Sequence, residues 1–231
     1  MLGDISELAE TEIRYVRQIT ELLDSLVTAL STAIDERSPY TANHTRNMVK
    51  LGEAFLDWLD STGNPYRLDE DRRHAFLMSV WLHDVGKLTV PLSIMDKATR
   101  LGRQLERIEA RFEKILLLNR IGLLEGRLTR EEYEERDARY RDWLGQIRRI
   151  NTAPFLPEED LALVQQIGRA TFVDIDGKEQ PVLSQTEVEC LTIRKGTLTD
   201  GERRIMQGHA SATERILNSV KFPENFAMVP D

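Results

Sequence analysis

The sequence predicts a mainly α-helical protein: a helical bundle core with an inserted helical hairpin and one small β-hairpin. Three observations carry that expectation. Apolar residues recur at spacings of three and four along most of the chain, the period of one helix face. Thr129, Ser184 and Thr199 are each followed three positions on by a glutamate, the pairing that opens a helix by satisfying its first backbone donors. Residues 172–175 and 181–183 are strand-like and flank Asp176-Gly177, a dipeptide suited to a tight hairpin turn.

Composition narrows the class of protein without naming a function. The chain has 231 residues, room for one domain with a large embellishment or for two small ones. Its apolar fraction is 41% and its charged fraction 30%. A net charge of −8 argues against a general nucleic-acid binder and against a polybasic membrane anchor. The single cysteine, Cys190, excludes internal disulfides and cysteine-based zinc sites. No run of apolar residues is long enough to span a bilayer, and no charged-then-apolar leader opens the chain. The expectation is a cytoplasmic chain, or the cytoplasmic part of a larger membrane-anchored protein.

The elements follow in order. Residues 1–36 read as one long helix. Leu2, Ile5, Ala9, Val16, Ile19, Leu23, Leu26, Leu30 and Ala33 form a heptad stripe that only Glu12 interrupts. Such a stripe packs either on its own domain or on a second copy of itself, so a homodimer through residues 1–36 is one of two expectations. Pro39 breaks the helix, and Thr41 is placed to cap the next, over 42–59. Residues 61–65 are a loop by composition. A third helix over 69–83 is almost wholly apolar in its second half and should be central. Residues 103–150 carry twelve basic and ten acidic residues. Ile108, Phe112, Ile115 and Leu116 give a narrow apolar stripe, glycines 122 and 126 mark a turn, and Tyr133, Tyr140, Trp143, Leu144 and Ile147 line a second helix. The pattern predicts a protruding, solvated antiparallel hairpin. A short helix within 154–170 follows, and a last helix runs over 199–218.

Four histidines, His44, His74, His83 and His209, bound the chemistry. His83 and Asp84 are adjacent at the end of the most apolar helix and are followed by Gly86 and Lys87. Imidazole and carboxylate are ligands for divalent metals, and the two oxygens of Asp84 can bridge two ions. Neighbouring helical positions point about 100° apart. The pair can therefore meet one metal only if the helix ends or bends there, and Gly86 permits that. The plainer alternative is a hydrogen-bonded structural pair. Lys87 can reach a bound phosphate as a point charge. His74, beside Arg72 and Arg73, is expected to be solvated and not a ligand.

The run from Ala33 to His44 (AIDERSPYTANH), the run from Leu82 to Pro91 (LHDVGKLTVP) and the run from Leu198 to His209 (LTDGERRIMQGH) together resemble the HD-GYP domain. That is a branch of the HD metal-dependent phosphohydrolases. The resemblance implies a helical core, two divalent transition metals of iron or manganese type, and hydrolysis of cyclic di-GMP. It implies that His44, His83, Asp84 and His209 are metal ligands and that Asp84 and Lys87 act in catalysis, Lys87 on the substrate phosphate. It also suggests an upstream sensor domain that signals through residues 1–36. A different nucleotide substrate, or a non-catalytic signalling or dimerisation module, are the alternatives.

The chain departs from the family pattern in four ways. The stretch between His83 and His209 is far longer than the family's usual linker, so residues 99–194 read as an insertion, similar to one seen in a subset of these proteins. Asn47 stands where the family often has arginine. Tyr40 stands where trinuclear members carry glutamate, which favours two metals. No HHExxxGxGYP segment occurs before Asp231, so the core reads as incomplete and this chain alone as inactive. The expected organisation is a signalling helix over 1–36, core segments over 37–98 and 195–231, and the insertion over 99–194.

Overall fold

The computed structural model describes residues 2–38 and 43–230, without the side chains of residues 2–9. Thr41, the expected cap, and Tyr40 lie outside the described residues. The protein is mainly α-helical, with one small two-stranded sheet. The chain divides into two compact units, residues 1–96 with 204–231 and residues 97–203.

The first unit is built on α1 (Leu2–Glu36), α2 (His44–Ser61) and α3 (Glu70–Leu82). A 3-10 turn over Val85–Thr89 follows, then the single-turn α4 (Leu92–Met95). The chain returns to this unit in α9 (Asp200–Asn218) and a closing 3-10 turn at Glu224–Phe226. Asp69 caps α3 by accepting from Arg72 N at 2.9 Å, and Glu70 and Asp71 complement the dipole of its first turn. As its apolar composition predicts, α3 is central. Ala75, Met78 and Leu82 are buried with Ile34 of α1, Leu217 of α9 and Phe226.

α2 begins at His44, two residues later than expected, and its first donors are satisfied from outside the helix. Asn43 precedes it in the left-handed region, φ 66°, and makes no side-chain cap. Asp35 of α1 fills that role: its carboxylate accepts from Thr45 N at 3.1 Å and from Thr45 Oγ1 at 3.0 Å.

α1 turns Asp24, Val27, Ser31 and Ile34 toward its own unit. Val27 and Ile34 join the core, and Ser31 donates to the carbonyl of Trp81 at 2.5 Å. Of the heptad stripe, Leu23 is part-buried and four other members are open. Val16, Ile19 and Leu26 are each more than half exposed, and Leu30 is exposed as well. His74 is part-exposed and no ligand, but it is not free in solvent. Its Nε2 lies 2.7 Å from Asp24 Oδ1 and its ring meets Phe226 edge-on, so it ties α3 to α1 across fifty residues of sequence.

The second unit overturns the expectation of a solvated hairpin. α5 (Gln104–Leu124) and α6 (Arg130–Thr152) do run as a helical hairpin, and Gly126, φ 71°, makes the turn. The capping box at Thr129 and Glu132 opens α6. But the hairpin is the wall of a core. Ile108, Phe112 and Ile115 of α5 and Tyr140, Trp143 and Ile147 of α6 are buried against α7 (Glu158–Arg169) and α8 (Gln185–Leu191). The charges lie on the outer faces of the two helices, so charge density described the surface and said little about the depth of the interior. β1 (Thr171–Val173) and β2 (Glu179–Pro181) pair antiparallel across the Asp176-Gly177 turn, with Gly177 at φ 73°. Arg100 is fully buried and donates to the Ile150, Ala153 and Ile193 carbonyls at the ends of α6 and α8. Lys97, almost wholly buried, donates to both oxygens of Glu202 at 2.8 and 2.7 Å.

A buried core in this unit carries an energetic consequence. Ile147 is fully buried, so Ile147→Ala should cost about 2–5 kcal/mol in chemical denaturation of the whole chain. A solvated hairpin would lose less than about 0.5 kcal/mol at such a position.

Candidate metal centre

The first unit brings four of the sequence-nominated side chains together around one carboxylate. α3 ends at Leu82, and His83 is its C-cap. Asp84 leaves the helical region, at φ −110° and ψ 12°, before the 3-10 turn begins. That break lets adjacent residues face one point. His83 Nε2 is 2.9 Å and His44 Nε2 3.7 Å from Asp84 Oδ2. His209 of α9 approaches the other oxygen, with Nε2 3.3 Å from Oδ1. Lys87 Nζ lies 2.7 Å from Oδ2. His74 takes no part.

His44, His83 and Asp84 place their ligand atoms within 4.8 Å of one another, a set that could hold a metal ion. His209 stands outside that three-residue set and meets it through Asp84. The donor chemistry fits a borderline divalent ion. Two of the histidines are also held ready for one. His83 Nδ1 lies 2.7 Å from the Val80 carbonyl, and His209 Nδ1 lies 2.5 Å from the Met206 carbonyl. A carbonyl only accepts, so each Nδ1 carries a proton, and Nε2 is the nitrogen that would ligate an ion once it has given up its own.

The electrostatics follow from burial. Asp84 is only 7% exposed. Burial alone would push its carboxyl up, but the hydrogen bonds from His83 and Lys87 outweigh it and hold the group well below the usual carboxylate range. The same hydrogen bond to Asp84 raises His83 above its ordinary value of 6.5, against the opposing effect of its partial burial.

The turn that carries Asp84 is braced by residues that motif reasoning had not singled out. Arg37 donates to the carbonyls of Lys87 at 2.8 Å and Val90 at 3.0 Å. Thr213, four residues after His209 on α9, accepts from Gly86 N at 2.9 Å and donates to the His83 carbonyl at 3.1 Å. Arg37 sat inside the matching run around Ala33–His44. Thr213 carried no signal beyond sharing a helix face with His209.

Gly86 has a different role from the one expected. Its φ is not positive, so it is not there to bend the chain. A Cβ at this position would lie 2.0 Å from the His209 carbonyl oxygen and 2.5 Å from Thr213 N. Glycine is required because α9 passes directly over it.

Comparisons with family models, curated proteins and solved structures yield no match to this chain. Among the described residues, no helix is long and apolar enough to cross a membrane.

Two expectations follow from the geometry. Gly86→Ala should separate α9 from the turn and abolish divalent-metal binding measured by calorimetry, whereas Gly145→Ala, with open space around it, should leave binding intact. Metal affinity should fall as pH falls, because the ligand imidazoles must be neutral. Since His83 is raised, that loss should begin at a higher pH than for an ordinary histidine. Titration of metal affinity against pH reads this directly, and affinity that stays flat down to pH values well below 6.5 contradicts it.

Proposed function

We propose that this chain is an HD-type metal-dependent phosphohydrolase module of the HD-GYP kind, with cyclic di-GMP as its substrate. The observation that supports the reading is the meeting of His44, His83 and His209, from three separate stretches of sequence, on the two oxygens of one buried aspartate, with a lysine alongside. His44, His83 and Asp84 Oδ2 would hold one ion, and Asp84 Oδ1 with His209 would reach toward a second. Iron or manganese suits this mixture of imidazole and carboxylate. Such ions supply a hydroxide at neutral pH and stabilise charge on the phosphoryl oxygens.

The chain's own residues do the rest. Asp84 sets the position of the centre through both oxygens. His83 and His209 are oriented by the backbone carbonyls on their Nδ1 atoms. Lys87 is paired with Asp84 beside the centre, where its ammonium would meet a phosphate oxygen. The four residues are fewer ligands than two six-coordinate ions take, so turnover by residues 1–231 alone is expected to be slow.

Elemental analysis after gel filtration tests the metal. The chain should retain iron or manganese, and His83→Ala and His209→Ala should lose most of it. A wild-type chain carrying no more metal than His83→Ala sinks the reading. Competition between cyclic di-GMP and mononucleotides tests the substrate, and preferential cleavage of a mononucleotide would move the proposal to another HD-type phosphohydrolase.

A second reading concerns α1 and is compatible with the first. The Val16, Ile19, Leu26 and Leu30 side chains of the stripe are exposed. A heptad stripe left open in this way favours a homodimer, through which an upstream sensor domain would signal. In sedimentation, Val16→Glu with Ile19→Glu should convert a dimer to a monomer while sparing Ser31, Ile34 and Asp35. A wild-type chain that sediments as a monomer removes this reading.

A further inference from the structure

α1 is 35 residues long, roughly 50 Å of helix. Its two parts differ. From Glu12 to Ile19 every residue is exposed. From Asp24 onward one side faces the first unit, and its polar groups there meet the segments that carry the candidate ligands.

The Ser31 hydroxyl is buried and donates to the Trp81 carbonyl at 2.5 Å, two residues before His83. The buried Asp35 carboxylate accepts from Thr45 N at 3.1 Å and from Thr45 Oγ1 at 3.0 Å, one residue after His44. Just past the end of α1, Arg37 donates to the Lys87 and Val90 carbonyls at 2.8 and 3.0 Å, on the turn that follows Asp84. Asp24 meets His74 at 2.7 Å, on the helix that ends at His83. The end of α1 is therefore bonded separately to the last turn of α3, to the first turn of α2 and to the 3-10 turn. His83, His44, and Asp84 with Lys87 sit at those three places.

The ligand atoms of His44, His83 and Asp84 lie within 4.8 Å of one another only while these segments keep their mutual positions. An ion binds converged ligands better than ligands that have parted, so it favours the state in which α1 is seated. A rigid helix carries a rotation or shift from its exposed part to its seated part. We propose that α1 is a lever on the metal centre. Displacing its exposed part loosens the hold of Ser31, Asp35 and Arg37 and lowers metal affinity, and metal binding seats α1 in return. Linkage makes the two effects equal in size. The inference rests on the metal centre described above and is independent of the substrate.

Hydrogen–deuterium exchange of the full chain with and without manganese tests the return direction. Saturating manganese should slow the amides of residues 24–36 at least about ten-fold and leave those of α5, in the second unit, unchanged. Calorimetry tests the forward direction. Ser31→Ala with Arg37→Gln alters no candidate ligand, yet it should weaken manganese binding at least about ten-fold. At saturating manganese that double variant should still show slowed exchange in α3 but not in residues 24–36, which separates the lever from a general stabilisation of the unit by a ligand. Should the variant not fold, exchange in the wild-type chain still decides. Exchange in residues 24–36 indifferent to manganese, slowing there that survives the double variant, or manganese affinity untouched by it overturns the lever. A wild-type chain that binds no manganese removes the metal centre and the lever with it.

Discussion

A carboxylate withdrawn from water must be answered by positive charge or by hydrogen-bond donors. Left unanswered, it costs several kcal/mol. Asp84 is such a carboxylate, and the architecture of the first unit can be derived from the need to surround it. α3 has to stop at Leu82, because continued helix would carry His83 and Asp84 to different faces. α2 has to start at His44, so that its first imidazole reaches Oδ2. α9 has to pass close enough for His209 to reach Oδ1. Lys87 is brought in by the 3-10 turn, whose tighter winding returns the chain to Asp84 after three residues.

Closeness of that kind leaves no tolerance at the contact point. The backbone of α9 lies against Gly86 with no room for a methyl group, and Thr213 closes the contact by bonding both to Gly86 N and to the His83 carbonyl. The turn is held on its other side by the Arg37 guanidinium. Asp35, two residues earlier, fastens the start of α2. The three residues Asp35 to Arg37, where α1 ends, thus position two of the elements that deliver ligands. Changes at Arg37, Gly86, Thr213 and the ligands themselves should couple strongly, since they share one network.

What the sequence disclosed and what it withheld differ for physical reasons. Local chemistry was readable: the capping boxes at Thr129, Ser184 and Thr199, the hairpin turn at Gly177 and the helical period all depend on residues a few positions apart. The candidate ligands were readable too, because imidazole and carboxylate are rare enough to stand out in a chain with four histidines. Their bracing was not. Thr213 is one hydroxyl among many, and only the fold brings it to Gly86, 127 positions away. The partner of His74 was hidden for the same reason, since Asp24 is fifty residues distant. The depth of the second unit was hidden differently. Each helix of the hairpin needs only one residue in three or four for its inner face, so a run with twenty-two charges still encloses Phe112, Trp143 and Ile147.

The arrangement of the second unit's ends explains how so long a segment can interrupt the first. Lys97 is the first residue of that unit and Glu202 nearly its last, yet the two side chains meet in a largely buried ion pair. The unit therefore leaves the chain close to where it entered, which is the condition under which one domain can be inserted into another without prising it open. The segments on either side of the insertion are the ones that must touch for the candidate centre to exist: the turn with Asp84 and Gly86 before it, and α9 with His209 and Thr213 after it. A buried Lys97–Glu202 pair is a costly way to gain stability, since an apolar pair of similar volume would often serve as well. Its value here lies in registry. It fixes which residues of the second unit's two ends lie side by side.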